Sequence, residues 1–135
     1  MSNIRNYREC PYAETWLEDG ITVQKYKKGL RVNFEVAKIL VNERLAVTEG
    51  VTRPGLADIS GLYWTTDSKA MKFLSSPEAT KLVSAGGFYI SNFAQRMAMR
   101  FFQSVSKEPP IPTKIFDNRE AAMEWLKQFT LEKLN

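Results

Sequence analysis

The sequence predicts one α/β domain, built on a mixed, mostly parallel β-sheet with an N-terminal β-hairpin and four to five helices. Its 135 residues are 44% hydrophobic, which is enough for one core without disulfides or metal. An Asp19-Gly20 pair between two short extended segments indicates the hairpin. Beyond it, strand-like segments alternate with amphipathic helical ones, and this alternation is typical of parallel sheets with right-handed crossovers.

The predicted hairpin comprises residues 13–18 and 21–26. Asp-Gly supplies the positive φ angles that a two-residue type I′ turn requires. In the second segment the apolar residues Ile21 and Val23 share one face, and polar residues alternate with them on the other. We therefore expect the hairpin to add an antiparallel edge to the sheet.

A helix is predicted from Asn33 to about Thr48, followed by a buried strand. Asn33 is a good N-cap, and apolar residues follow it at the three- and four-residue spacing of a buried stripe: Val36, Ala37, Leu40, Val41 and Leu45. Gly50 ends the helix. Residues 55–59 are a short, nearly continuous apolar run, which predicts a strand buried on both faces with Asp58 at the rim of the sheet.

The remainder of the chain continues the alternation of helices and strands. Two short helical pieces are expected between Thr66 and Ser84, with Pro77 at the first position of the second piece. The elements that follow Gly86-Gly87 are a strand at 88–90, a helix at 92–104, a strand at 113–116 and a final helix that Asp117 caps together with Glu120.

Composition excludes several common classes of active site. The chain has no His and a single cysteine, Cys10, so it has neither a Cys/His zinc cluster nor a His general base nor an internal disulfide. Walker and dinucleotide-binding glycine motifs are absent from the sequence. Accordingly, we expect no catalytic residue, no metal site and no cofactor.

Charge and hydropathy bear on partners and location. The 19 Lys and Arg residues against 15 Asp and Glu give a net charge of +4, but they are spread along the chain. Because nucleic-acid-binding surfaces concentrate basic residues on one face, we expect no nucleic-acid partner. No segment has the roughly 18 consecutive apolar residues of a membrane span, and the N-terminal region contains no apolar signal-peptide core. The prediction is a cytoplasmic protein without a membrane span.

The candidate functional site is the strand–helix rim at residues 58–68, within the stretch 58–71. They join a buried strand to the start of a helix through a hydroxyl-rich loop, and Thr66, Asp67 and Ser68 compete for the N-cap of that helix. One interpretation is that one of these side chains only satisfies free amide groups. The other is that residues 58–68 form an exposed regulatory or docking surface, where phosphorylation of a hydroxyl adds nearly two negative charges and changes a partner contact.

Short matches along the chain are similar to one protein family. They are the Asp-x-Ser-Gly turn at 58–61, the helix that begins at Thr66-Asp67-Ser68, the Pro-rich segment and Ile-Phe strand at 110–116, and the Ala-Ala-x-x-Trp-Leu helix at 121–126. Together with the order of elements, they resemble the STAS fold of bacterial anti-sigma-factor antagonists, and most closely its SpoIIAA-like branch, which is related to the lipid-binding Sec14 domains. We expect one such domain over residues 13–130, an N-terminal arm at 1–12 and a C-terminal tail at 131–135.

The resemblance implies a non-enzymatic regulatory module that binds a protein partner, either a kinase or another regulatory protein. In the antagonists a serine at the start of the second helix is phosphorylated by a partner kinase. The corresponding position here is Asp67, which makes the charge permanent, or Ser68, which keeps the switch. The candidate partner-binding or phosphorylation residues are therefore Asp58, Ser60, Thr66, Asp67 and Ser68.

Three other interpretations stay open at this point. The Sec14 relationship implies a small apolar or lipid ligand between helices and sheet, near Phe73, Phe93, Met97, Met99, Phe101 and Phe102, although core packing also explains these residues. A carboxylate enzyme would use Asp58 and Asp67. The chain is also compatible with a homodimer.

Overall fold

The computed structural model of the protein describes residues 3–60, 65–91, 96 and 111–130, with only the backbone of Thr65 and Thr66. In chain order, the elements are β1 (Ile4–Glu9), β2 (Ala13–Glu18), β3 (Ile21–Tyr26), β4 (Arg31–Val32), α1 (Phe34–Val47), β5 (Arg53–Asp58), β6 (Thr65–Thr66), α2 (Ser68–Leu74), β7 (Val83–Tyr89), β8 (Thr113–Phe116) and α3 (Arg119–Lys127).

Six of the strands form one mixed sheet in the order β1-β2-β3-β5-β7-β8. The pairs β1/β2 and β2/β3 are antiparallel, whereas β3/β5, β5/β7 and β7/β8 are parallel. Strands β4 and β6 form a separate two-stranded parallel ribbon. The predicted α/β class, with its mostly parallel sheet and N-terminal hairpin, is confirmed.

The alternation along β3 places helices on both faces of the sheet. Ile21 and Val23 pack in a cluster with Leu126 of α3. The next residue, Gln24, points to the opposite face, where its Nε2 donates a hydrogen bond to the carbonyl of Leu40 in α1 at 2.9 Å. Helices α1 and α3 therefore cover opposite faces, and the sheet is the middle layer of the domain.

Local signals placed the hairpin and the first helix correctly. Asp19 and Gly20 have φ angles of 52° and 81°, as a type I′ turn demands. The Oδ1 atom of Asn33 accepts a hydrogen bond from the Val36 amide at 2.9 Å, so Asn33 is the N-cap of α1.

The described residues contain three helices, so the expectation of four to five is wrong for this part of the chain. The second helical piece, expected up to Ser84, is a series of turns that ends at Leu82, whose φ of 62° is incompatible with a continuing helix. Strand β7 starts directly afterwards at Val83, because the backbone there pairs with β5. The predicted helix at 92–104 lies outside the described residues except for Arg96.

Strand β1 was not expected, because the first regular element was predicted at Ala13. Its sequence has little apolar alternation, and a bulge between Arg5 and Arg8 interrupts its pairing with β2. Two ion pairs fix it to the end of α1: Arg5 to Glu49 at 3.0 Å and Arg8 to Glu43 at 2.9 Å. Contacts with residues distant in the chain therefore explain why residues 4–9 form a strand.

The final helix has a different cap from the predicted one. Asn118, not Asp117, accepts the capping hydrogen bond, from the Ala121 amide at 3.0 Å. Asp117 instead forms an ion pair with Arg96 at 3.4 Å. The N-cap is thus one residue later than the Asp117/Glu120 pattern indicates.

A buried guanidinium connects the end of α1, the hairpin turn and β5. Arg53 is 4% exposed and donates to the carbonyls of Thr48 at 3.0 Å and Gly20 at 3.2 Å. It also donates to the carboxylate of Glu49 at 3.1 Å. The Arg5, Asn6 and Arg53 groups around that carboxylate lower the pKa of Glu49.

Close approach of α3 to the sheet explains why Gly87 lies inside β7, where the sequence pattern indicated a helix break. A Cβ atom at Gly87 would lie 3.2 Å from Leu126 Cδ1 and 3.5 Å from Leu56 Cδ1. Both leucines are fully buried and have little room to move. At the neighbouring Gly86 the nearest atoms would be 3.8 Å away, which is ordinary contact.

We predict that Gly87→Ala lowers the free energy of unfolding by about 1–2 kcal/mol relative to Gly86→Ala, because it overpacks the α3 side of the sheet. Both variants replace glycine with alanine, so each lowers the conformational entropy of the unfolded chain by a similar amount. The comparison between them cancels that effect. Urea unfolding of both variants measures the difference. Equal stabilities would show that α3 does not need a glycine at this position.

Candidate functional site

Two short strands place the beginnings of α1 and α2 side by side. Arg31 pairs with Thr65 and Val32 with Thr66 in the parallel ribbon of β4 and β6. Each strand continues directly into the N-cap of a helix, Asn33 for α1 and Asp67 for α2. We call this region, residues 31–38 and 65–72, the α1–α2 corner.

Thr66, Asp67 and Ser68 are the three candidates for the N-cap of α2, and Asp67 occupies that position. Its Oδ1 accepts a hydrogen bond from the Ala70 amide at 2.8 Å, and the residue is exposed. Ser68 is the first residue of α2 and is also exposed. Thr66 ends β6 and has only its backbone described. The structure therefore presents a carboxylate and a hydroxyl to solvent at the start of α2.

Asp58 lies in a different environment from the exposed rim that the sequence indicated. It ends β5 and is only 6% exposed. Its Oδ1 accepts hydrogen bonds from the Ser60 amide at 3.0 Å and the Ser60 hydroxyl at 2.6 Å. This is a local turn in which an aspartate satisfies the backbone two residues later. The expectation of exposure holds for Asp67 and Ser68 but is wrong for Asp58.

The structure does not bring the two candidate carboxylates together. Asp58 follows Leu56 by two residues, so it points to the face on which Leu56 packs against Leu126 of α3. Asp67 caps α2, whose Ala70 packs with α1 on the opposite face. The paired carboxylate arrangement considered from the sequence is therefore not formed.

On the α3 face, Glu18 and Arg119 form the main polar cluster. Arg119 donates to both carboxylate oxygens of Glu18, at 2.8 and 3.2 Å, and Trp16 Nε1 donates to Oε1 at 3.0 Å. The hydrogen bond to Glu18 raises the pKa of Arg119. Because Glu18 is buried, this cluster fastens the N-terminal hairpin to α3.

A second arginine links α1 to the turns after α2. Arg44 Nη2 donates to the carbonyl of Ala79 at 2.9 Å. Burial lowers the pKa of Arg44 to about 10 and raises the pKa of the neighbouring Tyr26 to about 12. Arg44 therefore helps to hold the segment that follows α2 against α1.

Sequence reasoning missed an arrangement of lysines around Phe34 in the α1–α2 corner. Lys69 Nζ lies 4.4 Å and Lys38 Nζ 5.0 Å from the centroid of the Phe34 ring. Phe73 of α2 meets the same ring edge-on, with centroids 5.3 Å apart and an interplanar angle of 83°. The spacing of Phe34 and Lys38 on one helix was a usable signal. The approach of Lys69 depends on tertiary packing.

Of the residues in the apolar-ligand alternative, the described residues include Phe73 alone. Phe93, Met97, Met99, Phe101 and Phe102 lie outside them, and Phe73 packs against the α1 core. An open groove of about 550 Å³ is lined mainly by polar and charged residues: Asn3, Arg5, Asp19, Gly20, Glu124, Lys127, Gln128 and Thr130. It lies beside the hairpin turn, at the opposite end of the sheet from Asp58.

Within the described ranges, no helix has both the length and the apolar composition that a membrane span requires. No group of three Cys, Asp or Glu residues in those ranges is arranged to hold a metal ion.

Residues 15–130 match the model of the family described as "Domain of unknown function (DUF7793)". The chain belongs to this family. No curated protein matches the sequence. The family assignment itself carries no activity, and no comparison points to an enzymatic one.

A solved structure shows the fold. It is an uncharacterized protein of the DUF3478 family with a SpoIIAA-like fold, from Shewanella loihica PV-4, and it is 16% identical to this chain. The match covers 93% of this chain and 95% of that one, with a TM-score of 0.55. The DUF7793 chain thus has a SpoIIAA-like fold, as its resemblance to that branch predicted.

We predict that Asp67→Ala lowers the free energy of unfolding by about 1 kcal/mol, whereas Asp67→Asn leaves it close to that of the wild type. Asparagine keeps the side-chain oxygen that caps α2, and alanine removes it. Denaturant unfolding of the three proteins measures the difference. If Asp67→Ala were as stable as Asp67→Asn, the cap would contribute nothing to the corner.

Proposed function

We propose that this DUF7793 protein is a non-enzymatic, STAS-like regulatory module of the cytoplasm that docks a protein partner through Asp67, Ser68 and the adjoining outer surface of α2. The proposal rests on the exposed positions of Asp67 and Ser68 at the α1–α2 corner, which the pairing of β4 with β6 holds in place. Loop residues held by a rigid scaffold present a reproducible surface to a partner.

Asp67 and Ser68 have distinct parts in this proposal. Asp67 carries a negative charge whose position is fixed by its hydrogen bond to the Ala70 amide. Ser68 follows it as an exposed hydroxyl, the group that a kinase modifies. Asp67 therefore supplies a permanent contact, and phosphorylation of Ser68 would add nearly two negative charges beside it.

The other candidate residues have structural parts in this proposal. Asp58 and Ser60 bond to each other at the end of β5, so they shape the chain as it leaves the sheet. Thr66 contributes through its backbone pairing with Val32. In this view the docking contacts come from Asp67 and Ser68, and the Asp58–Ser60 turn sets the conformation of the chain where it leaves β5.

The proposal of a non-enzymatic role rests on how the carboxylates are used. Asp58 accepts two hydrogen bonds from Ser60, and Asp67 accepts one from an α2 amide. They belong to opposite faces of the sheet, so they do not form an acid-base pair. Binding explains their positions without any chemical step.

We predict that a partner retained by the wild-type protein is lost with Asp67→Lys and retained with Glu124→Lys. The control makes the same change of charge on α3, on the opposite face, where the Glu124 side chain is 81% exposed. Asp67→Asn keeps the cap and should lower recovery several-fold through loss of charge alone. Affinity capture from expressing cells, quantified by mass spectrometry, measures recovery. Unchanged recovery with Asp67→Lys would overturn the proposed docking site.

We also predict that incubation with ATP and extract of the expressing cells labels Ser68, and that Ser68→Ala abolishes the label. Exposure at the first position of α2 makes its hydroxyl accessible. Phosphopeptide mapping locates the modification. Absence of label from Ser60, Thr65, Thr66 and Ser68 would remove the phosphorylation switch from the proposal and leave the permanent contact at Asp67.

A further inference from the structure

The α1–α2 corner of the described chain carries an excess of positive charge. Lys38 and Lys69 are both exposed, and their ammonium groups approach the same Phe34 ring from two helices. Within the described ranges, neither lysine forms an ion pair, and the ring is the group that each one contacts. Because both distances are measured to the centroid of Phe34, the Nζ atoms of Lys38 and Lys69 are no farther apart than the sum of those two distances.

Four arginines of the described chain are in a different situation. Arg5, Arg8 and Arg53 are each paired with a glutamate at the end of α1, and Arg119 is paired with Glu18. In those cases the fold supplies its own counter-charge. At the corner it brings two cations to one aromatic ring, which attracts each of them weakly, and no carboxylate of the described chain is paired with either lysine.

The environment of the two lysines is also basic. Arg31 precedes α1 and Lys72 lies in the last turn of α2, and both are exposed. The carboxylates of the same corner are Glu35 and Asp67, and Asp67 is engaged as a cap. The corner therefore carries more positive than negative charge, and it attracts an acidic group.

The aromatic contacts fix the lysines in advance. Phe73 meets the edge of the Phe34 ring, and Phe34 belongs to the first turn of α1. A lysine that rests on a fixed ring loses less freedom when it binds a carboxylate than a lysine that moves freely in water. The two ammonium groups are thus already positioned for an anionic partner in the unbound protein.

We propose that Phe34, Lys38 and Lys69 form the docking surface for an acidic segment of a protein partner, whose carboxylates bridge the two ammonium groups. The inference rests on the proposed function, because this surface adjoins Asp67 and Ser68. It adds the chemistry of the partner: a segment rich in Asp or Glu. Charge complementarity is the argument for that occupant.

The same observations disfavour a nucleic acid or a membrane as the occupant. Base stacking needs an open aromatic face, whereas ammonium groups lie against Phe34 and Phe73 packs at its edge. Membrane binding through an amphipathic surface needs apolar side chains that insert between lipids. Phe34 is half-buried and held by Phe73, so it does not meet that need.

The test measures binding of a fluorescein-labelled twelve-residue peptide of repeated Glu-Glu-Leu by anisotropy at low salt. We expect salt-sensitive binding that Lys38→Glu/Lys69→Glu weakens by about tenfold or more. The matched control is Lys81→Glu/Lys114→Glu, which makes the same change in net charge elsewhere. Lys114 also contacts aromatic rings, Phe116 and Trp125, on the α3 side. The control should bind within about twofold of the wild type.

Circular dichroism of both double variants establishes that they fold. Phe34→Leu should weaken binding several-fold, because it removes the ring and leaves both lysines. Equal loss in the two double variants, or no binding of the acidic peptide by the wild type, would overturn the inference. Tighter binding of single-stranded DNA or phosphatidylserine vesicles through Lys38 and Lys69 would overturn it in favour of those occupants.

The affinity capture described for Asp67 separates this inference from the proposed function. If the partner is lost with Asp67→Lys but retained with Lys38→Glu/Lys69→Glu, the docking site stands and the acidic-segment inference fails. Loss with Lys38→Glu/Lys69→Glu and retention with Lys81→Glu/Lys114→Glu supports the inference. Retention with Asp67→Lys counts against the proposed function, whatever the lysine variants do.

Discussion

The buried guanidinium of Arg53 is the interaction on which the arrangement of the N-terminal half depends. A charged group out of water is costly unless its donors are satisfied, and Arg53 satisfies them with the ends of separate elements: the carbonyls of Thr48 and Gly20 and the carboxylate of Glu49. Glu49 in turn holds Arg5 of β1. The C-terminal end of α1, the hairpin turn, β5 and the edge strand are therefore joined at one point.

Fixing that end of α1 has consequences at the other end. The β4/β6 ribbon sets the N-terminus of α1 beside that of α2, so both ends of α1 are constrained by backbone or buried polar contacts. Phe34 and Lys38 are consequently held where Lys69 reaches the same ring. The arginines near Glu49 are paired within the fold and support it. Lys38 and Lys69 form no ion pair within the described residues and are available to a partner.

The candidate site shows what N-cap preferences can and cannot predict. They limited the start of α2 to three residues, and the structure selects Asp67 because its carboxylate meets the Ala70 amide. The same rules gave no information on exposure at Asp58, whose burial follows from its turn with Ser60 and from its place between β3 and β7. They also could not reveal the meeting of Lys69 with Phe34, since those residues are far apart in the chain.

Local signals were enough to predict the α/β class, the Asp19-Gly20 hairpin and the Asn33 cap, because each depends on φ preferences, side-chain periodicity or a hydrogen bond within a few residues. Three features emerge only in the folded structure: a polar segment becomes β1, Gly86-Gly87 lies inside a strand, and Asp58 and Asp67 occupy opposite faces. Those outcomes depend on ion pairs, helix-to-sheet packing and strand order, and such contacts between distant residues leave no local period in the sequence.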